Sequence, residues 1–275
     1  MPNHVLLFTN LTRRLRIAKP ATCLQMPKRQ PVRLNKEPLV EAVCQLRVAG
    51  KVALNTFFPG LLLAKHPADV SELLQSPMAM IPEQLRSMQP EMAFASLVQL
   101  RFKGVLVMIG ERAITVSNPA PYLGWPGFKS LIVEVFTVLF ESTLVASVER
   151  YSLKYTNVLK ANEAPDSLGA LAWSLSVGQL DLNKRATTVQ TEMLTDGLVT
   201  IITLGGGVTV QAVGQAPVQG SLIDVDTICQ NKPQSAKAFA ASMSGELDRI
   251  RRVNKETFFE CLTDEAINEL DPVYS

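Results

Sequence analysis

Five stretches of this chain alternate polar and apolar side chains, and that period of two narrows its fold more than any other feature. Each stretch is committed to a strand with one buried and one open face. Residues 41–48 alternate in this way, as do 94–103, 148–158, 187–194 and 221–228. Further strand-like runs lie at 105–109, 113–117, 170–177 and 199–204. Lys103-Gly104 and Gly110-Glu111-Arg112 divide residues 94–117 into a three-stranded meander. Asp196-Gly197 marks a hairpin turn. Gly205-Gly206-Gly207 has neither the lysine nor the following helix of a phosphate loop, so it is expected to end a strand by bending the backbone.

The helical period governs two other segments. After a Pro- and Gly-rich loop at 118–127, Phe128, Leu131, Ile132, Val135, Phe136 and Leu139 recur at helical spacing, and Val133, Val138 and Phe140 widen the stripe. From 235 to 261 a long helix, roughly 40 Å at 1.5 Å per residue, carries Ala236, Phe239, Ala240, Met243, Leu247, Ile250 and Phe258 on one side, with Gly245 as a point for a kink. Thr263 then caps a last short helix. Residues 57–92 are broken by Pro59, Pro67, Pro77, Pro82 and Pro90 into short helices such as 70–74. The fold class is therefore α+β, largely antiparallel sheets packed with two long helices. Each half runs strands first and a helix last, the pattern of a duplicated unit. The expected divisions are a basic arm at 1–34, a first half at 35–145 and a second at 146–275. Two helices with so much apolar surface favour a homodimer or a stable complex with a protein partner; the competing arrangement packs the two helices against each other.

The chain has 275 residues, 47% of them hydrophobic, and a net charge of only +2, so no whole-protein field draws in nucleic acid. Nucleic acid could be met only through the basic arm or through Arg249, Arg251, Arg252 and Lys255 on the last long helix. The first 36 residues carry eight Lys and Arg residues and no acid. A flexible arm, an upstream start and an organelle transit peptide all fit that composition. The four cysteines have neither zinc nor disulfide-scaffold spacing, and Cys44 and Cys229 lie in apolar runs as buried thiols. With no apolar run of membrane-spanning length, a cytoplasmic protein is expected.

Catalytic chemistry is thinly represented. His4 and His66 are the only histidines, and there is no GxSxG, HExxH or GxxxxGK[ST]. No cofactor or metal is expected. The candidate ligand-binding residues come from the alternation: Glu41 and Arg47 with Gln45 on one strand face, Arg101 with Gln99 and Lys103, Arg150 with Lys154, Gln190 with Glu192, and Asp224 with Asp226. If these faces converge they form either a solvated, ion-paired sheet surface or a concave groove for a charged ligand or peptide. Asp224 and Asp226 could hold a hard divalent cation, although ion pairing is the commoner use of two such acids. Tyr122 and Trp125, set between prolines and Gly124, form either an aromatic ligand platform or a plug at the helix entry, the plug being favoured.

Several segments together resemble a sporadically distributed bacterial family of uncharacterised proteins: PLVEAV at 38–43 with QLR at 45–47, IGERAITVSN at 109–118, PYLGWPGF at 121–128, RYSLKYTN at 150–157, LIDVD at 222–226 and LTDE at 262–265. The resemblance spans nearly all of the chain after residue 35. It implies a full-length single unit in bacteria, encoded near mobile or defence-type genes, with no established activity. The chain departs from the family at Gln45, where relatives often carry an acid, and near Arg251, where they carry a histidine. The expected function is a non-enzymatic binding or regulatory protein, antitoxin-like or chaperone-like, in a bacterial conflict system. The alternative is a nucleotide- or polyphosphate-binding enzyme or sensor; for a triphosphate-tunnel form of it, the charged strands must close into one barrel.

Overall fold

Strand after strand, the alternating runs join a single antiparallel sheet. The protein is described by a computed structural model covering residues 29–160, 169–174, 176–181, 187–210, 217–230 and 233–274. In chain order the first half contains β1 (Arg33–Leu34), β2 (Leu39–Gly50), α1 (Leu54–Lys65), β3 (Val70–Gln75), the 3-10 turn η1 (Pro77–Met80), α2 (Glu83–Ser87), the 3-10 turn η2 (Pro90–Phe94), β4 (Val98–Phe102), β5 (Val105–Ile109), β6 (Ala113–Pro119) and α3 (Gly124–Glu141). The second half contains β7 (Val145–Lys160), β8 (Ser176–Val177), β9 (Leu180–Asp181), β10 (Thr188–Thr195), β11 (Leu198–Val210), β12 (Val218–Cys229), β13 (Gln234–Ser235), α4 (Ala236–Glu260), α5 (Asp264–Glu269) and β14 (Pro272–Val273).

The sheet runs β10-β11-β12-β7-β2-β6-β5-β4-β3, with β13 added beside β7. Its two centre strands are the first long strand of each half, paired antiparallel from Leu39↔Asn157 to Gly50↔Val145. Outward from that pair each half lays down its later strands in reverse chain order. β10 and β3 end the path without pairing to each other, so the sheet is open. Ala42, Cys44 and Leu46 of β2, Val116 of β6, Val107 of β5 and Tyr151, Leu153 and Tyr155 of β7 all face one side and are buried. There α1, α3 and α4 cover them in one continuous apolar core.

The helices find their cover within the chain. Phe140 of α3 meets Phe239 of α4 at 5.8 Å between ring centroids, and Phe239 meets Tyr151 of β7 at 5.0 Å. Phe128, Ile132, Val135, Phe136, Val138 and Leu139 are buried on α3, as are Phe239, Met243, Leu247 and Ile250 on α4. The two long helices thus pack against each other within the chain. Asn254 locks α4 to the sheet from inside: fully buried, its Nδ2 donates to the carbonyls of Leu153 (3.1 Å) and Val225 (2.8 Å) and to Thr227 Oγ1 (3.2 Å).

Several local expectations are corrected. Residues 70–75 form strand β3 rather than a short helix, because pairing with β4 overrides a weak local preference. α1 runs unbroken through Pro59. α3 begins at Gly124, inside the expected loop, and Pro126 is tolerated there because first-turn N–H groups have no intrahelical partner to lose. β11 does not stop at its three glycines but continues to Val210 through a register shift between Gly205 and Val208, a bulge. Of the run 170–177, residue 175 lies outside the described residues; Leu171 makes one bridge, to Leu262, and Ser176–Val177 pairs with β9. The arm boundary also moves: Arg33–Leu34 pairs with Pro272–Val273, so these two residues belong to the fold, while residues 1–28, with His4 and Cys23, lie outside the described residues. Cys44 and Cys229 are free and buried, and Cys261 is buried as well. No helix among the described residues is long and apolar enough to cross a membrane.

Candidate functional site

The face opposite the helices holds most of the charged candidates, because strand parity carries them all to the same side. The register places Glu41, Val43, Gln45 and Arg47 of β2 opposite Thr156, Lys154, Ser152 and Arg150 of β7. On the far side of β7, Thr156 meets Asp224 and Lys154 meets Asp226. On the far side of β2, Gln45 meets Thr115 and Val43 meets Ser117. Three strands therefore bring Glu41, Arg47, Arg150, Lys154, Asp224 and Asp226 together.

Asp224, Lys154 and Glu41 find close partners on this face. Asp224 Oδ2 accepts from Thr156 Oγ1 at 2.9 Å and pairs with Lys154 Nζ at 2.9 Å. Glu41 accepts from the Ser117 hydroxyl. Gln45 Nε2 donates to Thr115 Oγ1 at 3.3 Å, and Gln45 Oε1 accepts from both Arg47 Nε (2.9 Å) and Arg150 Nη1 (3.3 Å). Arg47 also lies 4.0 Å above the Phe94 ring and 3.4 Å from Glu91, both on η2, which folds over this end of the face. Asp226 is the least well served: Arg150 Nη2 stands 3.8 Å away, and the buried Oδ1 has no hydrogen-bond partner among the described residues. Burial raises the Asp226 carboxyl above the usual range, against the lowering pull of Arg150 and Lys154. Burial, together with the neighbouring Arg47, lowers Arg150.

The remaining candidates lie elsewhere. Arg101 faces the same way but sits three strands out from β2, paired with Glu72 of β3. Gln190 and Glu192 are exposed on β10. Tyr122 and Trp125 are on the helix side. The Tyr122 and Tyr155 hydroxyls meet at 2.6 Å, and Trp125 Nε1 donates to Asp248 of α4 at 3.0 Å, where Lys129 also pairs at 2.6 Å. Both rings pack against the main core, the arrangement of a plug. The basic stretch on α4 is largely engaged inward: Arg249 with Glu246 at 2.8 Å, Arg251 4.5 Å above the Tyr155 ring and Lys255 6.0 Å from the Phe259 ring, with Arg252 exposed.

One constellation escaped sequence reading. His66 at the end of α1, Asp69, and Glu134 of α3 bring three ligand-type atoms within 4.8 Å of one another. His66 Nδ1 is 3.5 Å from Glu134 and 3.7 Å from Asp69. Such a set could hold a divalent cation, but Lys103 already bridges the two carboxylates, at 2.5 Å and 3.5 Å. The His66–Asp69 spacing of three was the only signal in the chain; Glu134 and Lys103 are brought in by the fold.

No protein-family model matches the chain, and no curated protein matches it.

Proposed function

We propose that the protein is a non-enzymatic binding protein whose open, charged sheet face receives a protein partner. The observation that supports this most is the disposition of the charges. Lys154, Arg150, Asp224 and Asp226 lie side by side on a continuous open sheet, Lys154 paired with Asp224 at 2.9 Å and Arg150 standing 3.8 Å from Asp226. A polyphosphate site needs converging, unneutralised cations in an enclosed channel, and a closed barrel is not what these strands build. A broad surface of alternating sign suits a complementary protein surface, where such charges set register and partner choice. The resemblance to a bacterial family encoded near mobile and defence-type genes supports an antitoxin-like or chaperone-like role in the cytoplasm. The mirrored strand order about the β2–β7 pair supports reading the two halves as copies of one unit.

The test is reconstitution. A partner identified by affinity capture from the native bacterial host is purified and titrated against the wild-type chain, Lys154→Glu and, as a control on the exposed helix surface, Lys237→Glu. Binding lost only in Lys154→Glu is expected. A failure to find any stoichiometric partner, or one that binds all three equally, would overturn the proposal.

A further inference from the structure

Arg47 and Arg150 stand directly opposite one another across the two central strands. Opposed residues of an antiparallel pair have Cβ atoms about 4.5–5.5 Å apart, and like charges so placed destabilise the sheet. A fold normally relieves such a pair by giving each cation a close acid. Here the acids are poorly placed to do so. Glu91 reaches Arg47 only at 3.4 Å from a side chain that is 83% exposed, and Asp226 stays 3.8 Å from Arg150, outside hydrogen-bond reach. Both guanidiniums turn to the same neutral acceptor, Gln45 Oε1. Most of their N–H donors are left without an acceptor among the described residues, while the side chains themselves are only 21% and 16% exposed.

We propose that Arg47 and Arg150 form a two-guanidinium clamp for an oxyanion, a carboxylate or a phosphoryl group, carried by the protein partner of the open face. The clamp deepens the reading of that face as a binding surface by naming the chemistry its ligand must present. A guanidinium offers planar, paired donors that match the two oxygens of such a group, and charge-assisted bonds of this kind are about twice as strong as neutral ones. An oxyanion between the two would satisfy the open donors and remove the repulsion in one step. Both residues rise from the two central strands of the sheet, Gln45 Oε1 accepts from each of them, and the Phe94 ring lies 4.0 Å from the Arg47 guanidinium.

The experiment uses the full chain and two probes, pyrophosphate and a pentaglutamate peptide, each compared with chloride at equal ionic strength. Thermal melting and isothermal titration are read for the wild type, Arg47→Gln, Arg150→Gln and Lys237→Gln. At least one probe is expected to bind the wild type and Lys237→Gln and to lose about tenfold or more in affinity in either arginine variant. Response to pyrophosphate alone assigns a phosphoryl ligand; response to the peptide alone assigns a carboxylate. Without anion, the glutamine variants are expected to melt no lower than the wild type, because removing one arginine relieves the pair. Should a glutamine variant fail to fold, the corresponding Lys variant keeps the charge but not the fork and is expected to bind more weakly. No binding of either probe to the wild type, or equal binding in wild type and arginine variants, would overturn the clamp. Probe binding without any protein partner would leave the clamp standing and remove the partner reading; a partner that binds without the clamp would do the reverse.

Discussion

Asp226 and Glu246 are both acids beside arginines, and the protein holds them in opposite senses. For Glu246, burial acts to raise the carboxyl, but hydrogen bonds from Tyr151 and Arg249 outweigh it and the group lies below its usual range. Its stabilising contribution is present above the ordinary carboxylate range and is lost as pH falls through the depressed value. For Asp226 burial wins, so the carboxyl is harder to ionise in the folded state than in the unfolded chain. That difference stabilises the fold below the ordinary carboxylate range, and the contribution disappears as pH rises through the raised value. Asp226→Asn is therefore expected to melt a few degrees above the wild type at pH 7, with the gap closing near pH 3, as followed by circular dichroism across that range. A variant that melts lower at pH 7 would show that the Arg150 contact outweighs the burial. That Asp224 and Asp226 share a face was legible from their spacing alone, because a strand preserves parity. That Glu91 and Phe94 would reach back to Arg47 was not, since a 3-10 turn folded over a sheet leaves no periodic trace in the sequence.

At the scale of elements, the turn between β5 and β6 and the end of η2 are in closer contact than side chains allow. A Cβ at Gly110 would sit 2.5 Å from the Ala95 carbonyl oxygen, backbone against backbone. Gly110→Ala is expected to cost about 1–3 kcal/mol, as overpacked sites do, measured by urea denaturation, and to loosen η2 and its hold on Arg47. Unchanged stability would mean that this approach is not tight. The β-hairpin at Asp196-Gly197 was readable because its residues must adopt positive φ, as they do at 52° and 73°. The start of α3 was hidden by the same kind of residue: Gly124, Pro126 and Gly127 look like loop formers, yet first-turn positions tolerate them. β3 was missed because six residues carry too little pattern to outweigh what a neighbouring strand decides.

Across the whole molecule, a largely antiparallel α+β fold was legible, but not the joining of its strands into one sheet, because alternation reveals which face a residue takes and never which strand lies beside it. The β2–β7 ladder and the α3–α4 packing make each half the missing wall of the other. The full chain is expected to melt cooperatively, and residues 29–143 and 144–274 expressed separately to lack that melt and to regain it when mixed. A fragment with its own sharp transition and native near-ultraviolet signal would contradict this. The same ladder has a consequence during synthesis. β2 leaves the ribosome about a hundred residues before β7 is complete, which at ordinary elongation rates is a delay of about 5–20 s. Throughout that interval the strand destined for the centre of the sheet is an edge, twelve residues long, and the nascent chain must be shielded from its neighbours on the polysome until its own second half arrives.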